Sequence, residues 1–599
     1  MSRCTSAAFA RKSFVSFVSF VVYYPRAMHE PPVSVSDYDR FAYPRAVYSH
    51  THPDRLATIA ILHGLQPAPV ANARVLELGC GDGNNLISIA CTLPVGEFLG
   101  VDLAGEPIRR GQEAISAIGL KNISLRQMNI LEMPADVGTF DYIIAHGVYS
   151  WVPEAVREKV LGICREHLAE NGVAYISYNA YPGCHLRDVA RGIMLFHARQ
   201  FSEPSDQVQQ GRALIKFLAQ GRTEPRLWQV VLQAQLQRLE KRADGSLFHD
   251  DFSPVCQAFY FHEFVEAAGR HQLEFLAEAD VKDARPDGLT DEAVGVLQKM
   301  GQMNRIAYEQ YIDFIGGCSF RRTLLCRQGR AVDREMKPER VCNLFVAANV
   351  AAVNPDANTP VPGPEDFKRG ETVIAASMPV LKSALKFLGE AWPRRVPFAE
   401  LLENACSVHA LACSGTAPRA DPGGDGTPGH AEACASGGPT PEHAKACTPN
   451  EPHGTDEGSA LKPVHQTRAD LAEFLLSCFA IGFVDLHSCP SPFVTKVSER
   501  PMASPLVRWQ VRQGPEVSTL RHWPLRITDA MGRHLLGLLD GTRDHAALLK
   551  ELGESVKAGS TPIYCDGKAV TESEKAVELV AQRLGPSLEN LAKLGLLAG

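Results

Sequence analysis

The stretch "VLELGCGDGNN", Val75 to Asn85, sets glycines at every second position, Gly79, Gly81 and Gly83. Glycine tolerates positive φ and lets a backbone come close to a ligand, so this alternation marks a turn that something has to enter. The apolar run ending in Glu77 predicts a strand, and the pattern that follows predicts a helix. The glycines therefore sit on a strand-to-helix turn, where open α/β sheets hold nucleotide-like ligands. About twenty residues on, "FLGVDL" ends a second apolar run at Asp102. A carboxylate there can accept both hydroxyls of a ribose.

Outward from this turn, Ala73 to Tyr178 alternates strand and helix patterns with short connections, which predicts a parallel sheet with helices on its faces. Strands are expected at 74–78, 98–102, 123–128, 140–145 and 173–178, and helices at 85–92, 107–118 and 154–168. After Tyr178 the alternation stops. A helical stretch covers about Leu186 to Lys241, a helix follows at 261–271, and "LEFLAEAD" and "RRTLLCR" supply a closing pair of strands. The fold class is thus α/β, a Rossmann-like sheet with a helical insertion, followed by smaller, mostly helical, winged-helix-like modules.

The expected divisions are 1–33, a doubtful N-terminal extension; 34–201, the ligand-binding core; 202–263, the helical insertion; and 264–330, the closing strands. Beyond these come a middle helical module (331–413), a disordered insertion rich in Gly, Pro, Ala and Thr (414–463), the second, winged-helix-like part of the middle module (464–515), and a small helical unit (516–599). The segment "YDRFAYPRAVYSHTHPDRLATIA" before the first strand carries aromatics and a Thr51/Asp54 helix start, and is suited to lie over the ligand as a lid.

With 599 residues, 45% hydrophobic and 22% charged, the chain reads as a multidomain globular protein, and its net charge of −7 argues against a mainly electrostatic nucleic-acid binder. Sixteen cysteines with no C-x-x-C pair suggest reduced thiols and a cytoplasmic setting. No metal site is expected, since the alternate His50 and His52 lack a third ligand. The apolar "FVSFVSFVVYY" near the start is too short to span a bilayer, and Met28 just downstream suggests an over-extended start rather than an export signal.

The acidic-x-Gly-x-Gly-x-Gly motif with Asp102 resembles the class I S-adenosylmethionine-dependent methyltransferases. The ordered set "YDRFAYPRAVYSHTHPDRLATIA", "VLELGCGDGNN", "FDYIIAHGVYSWVP" and "SYNAYPGCH" is similar to the bacterial members with a methyltransferase regulatory domain, a group related to rickettsial protein-lysine methyltransferases. The resemblance implies S-adenosylmethionine held by Glu77, Gly79, Cys80, Gly81, Gly83, Asp102, Leu103, Asn129, Ile130 and His146, with Asn129 standing where many relatives carry Asp. It implies methyl transfer to lysine of a protein substrate.

Tyr149, Trp151, Asn179, Tyr181, His146 and His185 crowd the ligand edge of the sheet and are the candidate catalytic residues. Tyrosine hydroxyls and an amide can orient an amine, and either histidine can take a proton. One departure is Cys184 in "YPGCH", where the group carries a bulky Trp. In the winged-helix-like part, Lys382, Lys386, Arg394 and Arg395 are offset by Glu390, Glu400 and Glu403, which suits protein docking or a homodimer better than nucleic acid. A small-molecule methyltransferase and a cofactor-binding regulator without catalysis stand as the alternatives.

Overall fold

The computed structural model describes residues 37–599 apart from 42, 225, 282–287, 334, 355–362, 414–463, 563, 566–567 and 571–572. The expected N-terminal extension and the 414–463 insertion lie outside the described residues. At the centre is a seven-stranded sheet in the order β3-β2-β1-β4-β5-β7-β6. Its strands are β1 Arg74–Leu78, β2 Glu97–Asp102, β3 Ile123–Gln127, β4 Phe140–Ala145, β5 Leu168–Asn179, β6 Leu273–Glu278 and β7 Phe320–Arg327. The first five are parallel, and β7 runs antiparallel between β5 and β6.

Alternation along each strand divides its side chains between two cores. Val75, Tyr142, Ile144 and Tyr175 face one, shared with the helices Pro53–Leu62 and Asn84–Thr92. Leu76, Leu78, Ile143, Ala145, Ile176 and Tyr178 face the other, shared with Glu154–His167 and Phe261–Arg270. Strand β5 begins earlier than its apolar run, at Leu168, with a break in its register against β4 between Phe140 and Tyr142.

The helix after the lid segment begins differently from expectation. His52, rather than Thr51, is its N-cap, with Nδ1 accepting from the Asp54 N–H at 3.1 Å and Pro53 in the first turn. The Thr51 hydroxyl is already committed to the Tyr48 carbonyl at 2.8 Å.

Three helices, Cys184–Ala198, Pro204–Gln220 and Leu227–Glu240, form the insertion beyond β5. In the middle module, Phe345–Ala347 is the central strand between Val396–Pro397 and Asp485–His487, packed with the helices Pro379–Ala391 and Val464–Ala480. Its apolar residues Val346, Leu385, Leu475 and Phe483 belong to the same continuous core as one face of the large sheet. A separate core holds the C-terminal unit. It unites Val507 and Val511 with Val517, Leu535, Leu548 and Leu588, so the expected boundary at 515/516 cuts through a single packed cluster.

Candidate active site

The turn after β1 has the left-handed geometry that alternate glycines permit: Gly79, Gly81 and Gly83 have φ of 69°, 58° and 69°. A Cβ on Gly79 would fall 2.4 Å from Val148 Cγ2, whereas one on Gly81 would meet nothing within 4 Å. The turn is thus tight behind and open in front. Asp102, at the end of β2, fixes it: the Gly81 N–H donates to Oδ2 at 2.8 Å and the Ala104 N–H to Oδ1 at 2.9 Å. A carboxylate has about four lone-pair sites, so each oxygen keeps capacity for a ligand hydroxyl.

In front of the turn lies a cavity of about 1150 Å³. Of the residues expected around a cofactor, Glu77, Gly79, Cys80, Gly81, Asp102, Leu103, Asn129, Ile130 and His146 line it. Gly83 does not. It backs the turn, where a Cβ would lie 2.5 Å from Leu125 Cδ1. The Asn129 side chain caps the short helix Ile130–Glu132, with Oδ1 accepting from the Leu131 N–H at 3.1 Å.

Burial raises Glu77 from an ordinary carboxylate value to about 8. Its Oε1 accepts from Asn85 Nδ2 at 2.8 Å, and its buried Oε2 has no partner among the described residues. The Trp151 indole N–H is likewise buried and unpartnered at the cavity wall. An orphaned carboxyl oxygen beside the glycine turn and an orphaned N–H at the cavity wall suit a ligand with both cationic and acceptor groups.

The candidate catalytic set divides. His146, Trp151 and Asn179 line the cavity. Tyr149 does not, because its ring packs edge-on against Phe259 and Phe264 within the core. Tyr181 and His185 also lie off the cavity wall, stacked on one another at 4.1 Å, with the Tyr181 hydroxyl donating to Asp188 at 2.9 Å and His185 exposed.

His146 faces two hydroxyls through Nδ1, Tyr175 at 3.0 Å and Ser177 at 3.1 Å. Because Ser177 Oγ already accepts from the Gly147 N–H at 2.9 Å, its proton is available to His146, which favours the tautomer protonated at Nε2. Burial lowers His146 to about 3. A neutral ring whose free lone pair is already occupied is a poor proton acceptor.

The lid expectation corresponds to a strap across the turn. Arg45 pairs with Asp82 at 3.0 Å, Asn84 Nδ2 donates to the Ala46 carbonyl at 2.9 Å, and the Tyr48 N–H donates to Asn85 Oδ1 at 3.0 Å. Tyr38, Tyr43 and Tyr48 thereby reach the cavity, Tyr48 lying 3.9 Å from the His146 ring.

The opposite wall holds residues that the sequence reading did not single out. Arg187 bridges Asn179 Oδ1 and Asp251, both at 3.0 Å, and Asp250 pairs with Arg242. Burial raises Asp250. The stretch "FHDDF" carried a usable signal, since two acids in an aromatic run are rarely buried unless paired. Cys184 lines the cavity, its thiol 3.1 Å from the Ser319 carbonyl. Among the described residues no group of three metal-ligating side chains is assembled, and no helix is long and apolar enough to cross a membrane.

Three family models match this chain. They are a methyltransferase domain over residues 75–172, a predicted methyltransferase regulatory domain over 243–327, and a PKMT C-terminal winged helix domain over 499–596. The regulatory match begins within the expected 202–263 insertion and runs on to β7. The winged-helix match covers most of the C-terminal core rather than 464–515. An uncharacterized protein of Rickettsia prowazekii is 33% identical over 375 residues, 61% of this chain and 68% of its own. A second from that organism is 37% identical over 242 residues, 40% of this chain and 96% of its own. The structure of PKMT2 from Rickettsia typhi shares the fold, with a TM-score of 0.77 at 24% identity over 93% of this chain and all of that one; its complex with AdoHcy gives 0.76.

Proposed function

The chain belongs to the S-adenosylmethionine-dependent methyltransferases that carry a methyltransferase regulatory domain, and from that premise we propose that it methylates lysine side chains of a protein substrate. One observation carries the reading. The same cavity has the glycine turn and Asp102 at one end and, at the other, Tyr43, Asp250 and Arg242 from the strap and the insertion. Its aromatic walls suit an extended aliphatic side chain ending in an amine, and the PKMT designation shared by the winged-helix family and the rickettsial structure supports protein lysine over a small molecule.

In this reading Asp102 would hold the ribose, Glu77 would face the cationic amino-acid end, and Leu103, Asn129 and Ile130 would border the adenine. Bound S-adenosylmethionine supplies an electrophilic methyl group. Asn179, held by Arg187, and the unpartnered Trp151 N–H would position the incoming amine for that transfer, and such positioning can supply much of the rate enhancement. His146 hydrogen-bonds and excludes water rather than acting as base, so the lysine ammonium would surrender its proton to solvent before it enters the cavity. We place the activity in the cytoplasm, in keeping with the free thiols among the described residues, and assign substrate docking to the C-terminal units.

Incubation with methyl-labelled S-adenosylmethionine and cell extract is expected to put label into protein and to return methyllysine on hydrolysis. Label confined to small molecules, or no substrate-dependent S-adenosylhomocysteine, would overturn this function. Glu77 gives a second test. Below about pH 8 it holds a proton in the free enzyme; a cationic group beside it favours the carboxylate, so cofactor binding near neutral pH is expected to release protons and to tighten as pH rises towards 8. Calorimetric heats should then depend on buffer ionisation enthalpy, and Glu77→Gln should remove that dependence. Equal heats in phosphate and Tris would contradict the assignment.

A further inference from the structure

A second cavity, of about 310 Å³, lies where the sheet domain, the middle module and the C-terminal unit meet. Four arginines line it, Arg55, Arg369, Arg395 and Arg521, against three aspartates, Asp54, Asp280 and Asp485. Its histidines add no charge near neutrality, since burial lowers His50 to about 2 and His52 to about 4, and lowers His487.

All three aspartates are already engaged. Asp54 accepts from His487 at 2.7 Å and from the Ser488 N–H at 2.7 Å and pairs with Arg395 at 3.3 Å; Asp485 takes Arg369 Nη2 at 2.7 Å. Donors are left over. Arg369 Nη1 is buried with no acceptor among the described residues. The Arg521 side chain makes no hydrogen bond or ion pair among them, and lies between the rings of Trp392 at 4.1 Å and Trp523 at 4.6 Å.

A guanidinium fork stacked on two indoles and offered no acceptor is preorganised for a carboxylate or phosphate. Burial lowers Arg521 to about 10; Asp485 opposes the fall without pairing with the guanidinium, Arg369 and Arg395 add to it, and a bound anion would relieve the cost.

The next residue links this cavity to the cofactor turn. His522 is buried in a left-handed conformation, φ 57°, with Nδ1 3.0 Å from Ser88 Oγ and Nε2 2.9 Å from Asn85 Oδ1. Asn85 in turn donates to Glu77. Arg521 is thus joined in the chain to a buried residue in the left-handed region that hydrogen-bonds the first turns of the helix Asn84–Thr92. His50 lines both cavities.

We propose that the junction cavity binds a small oxyanion-bearing effector through Arg521 and Arg369, and that its occupancy is coupled through His522 to the cofactor site.

The test is calorimetry on the full chain with inorganic phosphate, pyrophosphate and citrate in turn, at low ionic strength with chloride as control. One saturable site per chain is expected, and the probe that fills it distinguishes a phosphate from a polycarboxylate source. Arg521 has no internal acceptor, so Arg521→Met leaves nothing buried and unpaired. It should weaken the anion roughly tenfold or more while the variant still binds S-adenosylmethionine. No saturable binding by the folded protein, or equal binding by folded Arg521→Met, overturns the site. Linkage requires anion and cofactor to change each other's affinity by the same factor. Saturation of the site without any change in cofactor affinity overturns the coupling.

Discussion

Arg321→Met is expected to destabilise the enzyme by about 3–5 kcal/mol, the usual cost of removing one partner from a buried ionic cluster. Arg321, on β7, is 3% exposed. Its guanidinium reaches Glu278 at 2.7 Å, Asp313 at 2.9 Å and Glu309 at 3.2 Å, and donates to the Glu309 carbonyl at 3.0 Å. Its flat face lies 4.0 Å from the Phe261 ring centre. Glu278 ends β6, while Glu309 and Asp313 stand on the helix Arg305–Gly316. One side chain thus ties the closing strands to the helix behind them, and methionine would leave three buried carboxylates without their cation.

The pH dependence has a definite sign. Burial raises Glu309 and Asp313 even with Arg321 present. The folded state therefore holds protons that the unfolded state has released, and stability falls as pH rises from their ordinary values through the raised ones. Without Arg321 these groups rise further, so the deficit of the variant should be smaller near pH 5 than near pH 8. Urea unfolding at the two pH values measures it. A loss below about 1 kcal/mol, or one independent of pH, would show that the cluster relaxes or hydrates when the arginine is removed.

Asp102→Ala should weaken S-adenosylmethionine by roughly ten- to 150-fold, from the 1.5–3 kcal/mol of a hydrogen bond to a charged group. The lower figure applies if only a ribose contact is lost. The higher one applies if the glycine turn also loosens, because the Gly81 and Ala104 N–H groups both lose their acceptor. Asp102→Asn, which keeps the shape and one carbonyl oxygen, should fall between. Calorimetry on protein with a native circular dichroism spectrum separates these cases. Unchanged affinity in folded Asp102→Ala would move the ribose elsewhere and show that the turn supports itself.

The central sheet was legible because its signals are local. β1 and β4 occupy the predicted residues because a short, mostly apolar run between turn residues has one comfortable place in a parallel sheet. The glycine turn and Asp102 were readable for the same reason. Tyr149 was not: a tyrosine three residues past His146 reads as a site residue until the short helix Tyr149–Trp151 turns its ring towards Phe264. Nothing in one sequence says which way such a turn faces. Arg187, Asp250 and Arg321 escaped notice because their partners lie on other elements, so no helix or strand period relates them, and only the adjacent acids of "FHDDF" left a local sign. The helix start at His52 was displaced by one residue by the competing claim of Tyr48 on Thr51.

The grip of His522 on the cofactor helix has a consequence in time. His522 lies 434 positions after Ser88 and 437 after Asn85. At translation rates of about 5–20 residues per second, the helix after the glycine turn waits roughly 20–90 s after its own synthesis before this partner leaves the ribosome. Asp54 likewise waits for His487, 433 positions on. Once β7 is complete at Arg327, the nascent methyltransferase domain has its strands and the Asp102 anchor of the glycine turn, but until His522 emerges it lacks the contacts that hold the following helix, so full ligand affinity is expected to arrive last. Full activity in such a chain would report that synthesis has run through its distal unit, and a product stalled before His522 would carry the methyltransferase sheet without its grip on the helix that follows the glycine turn.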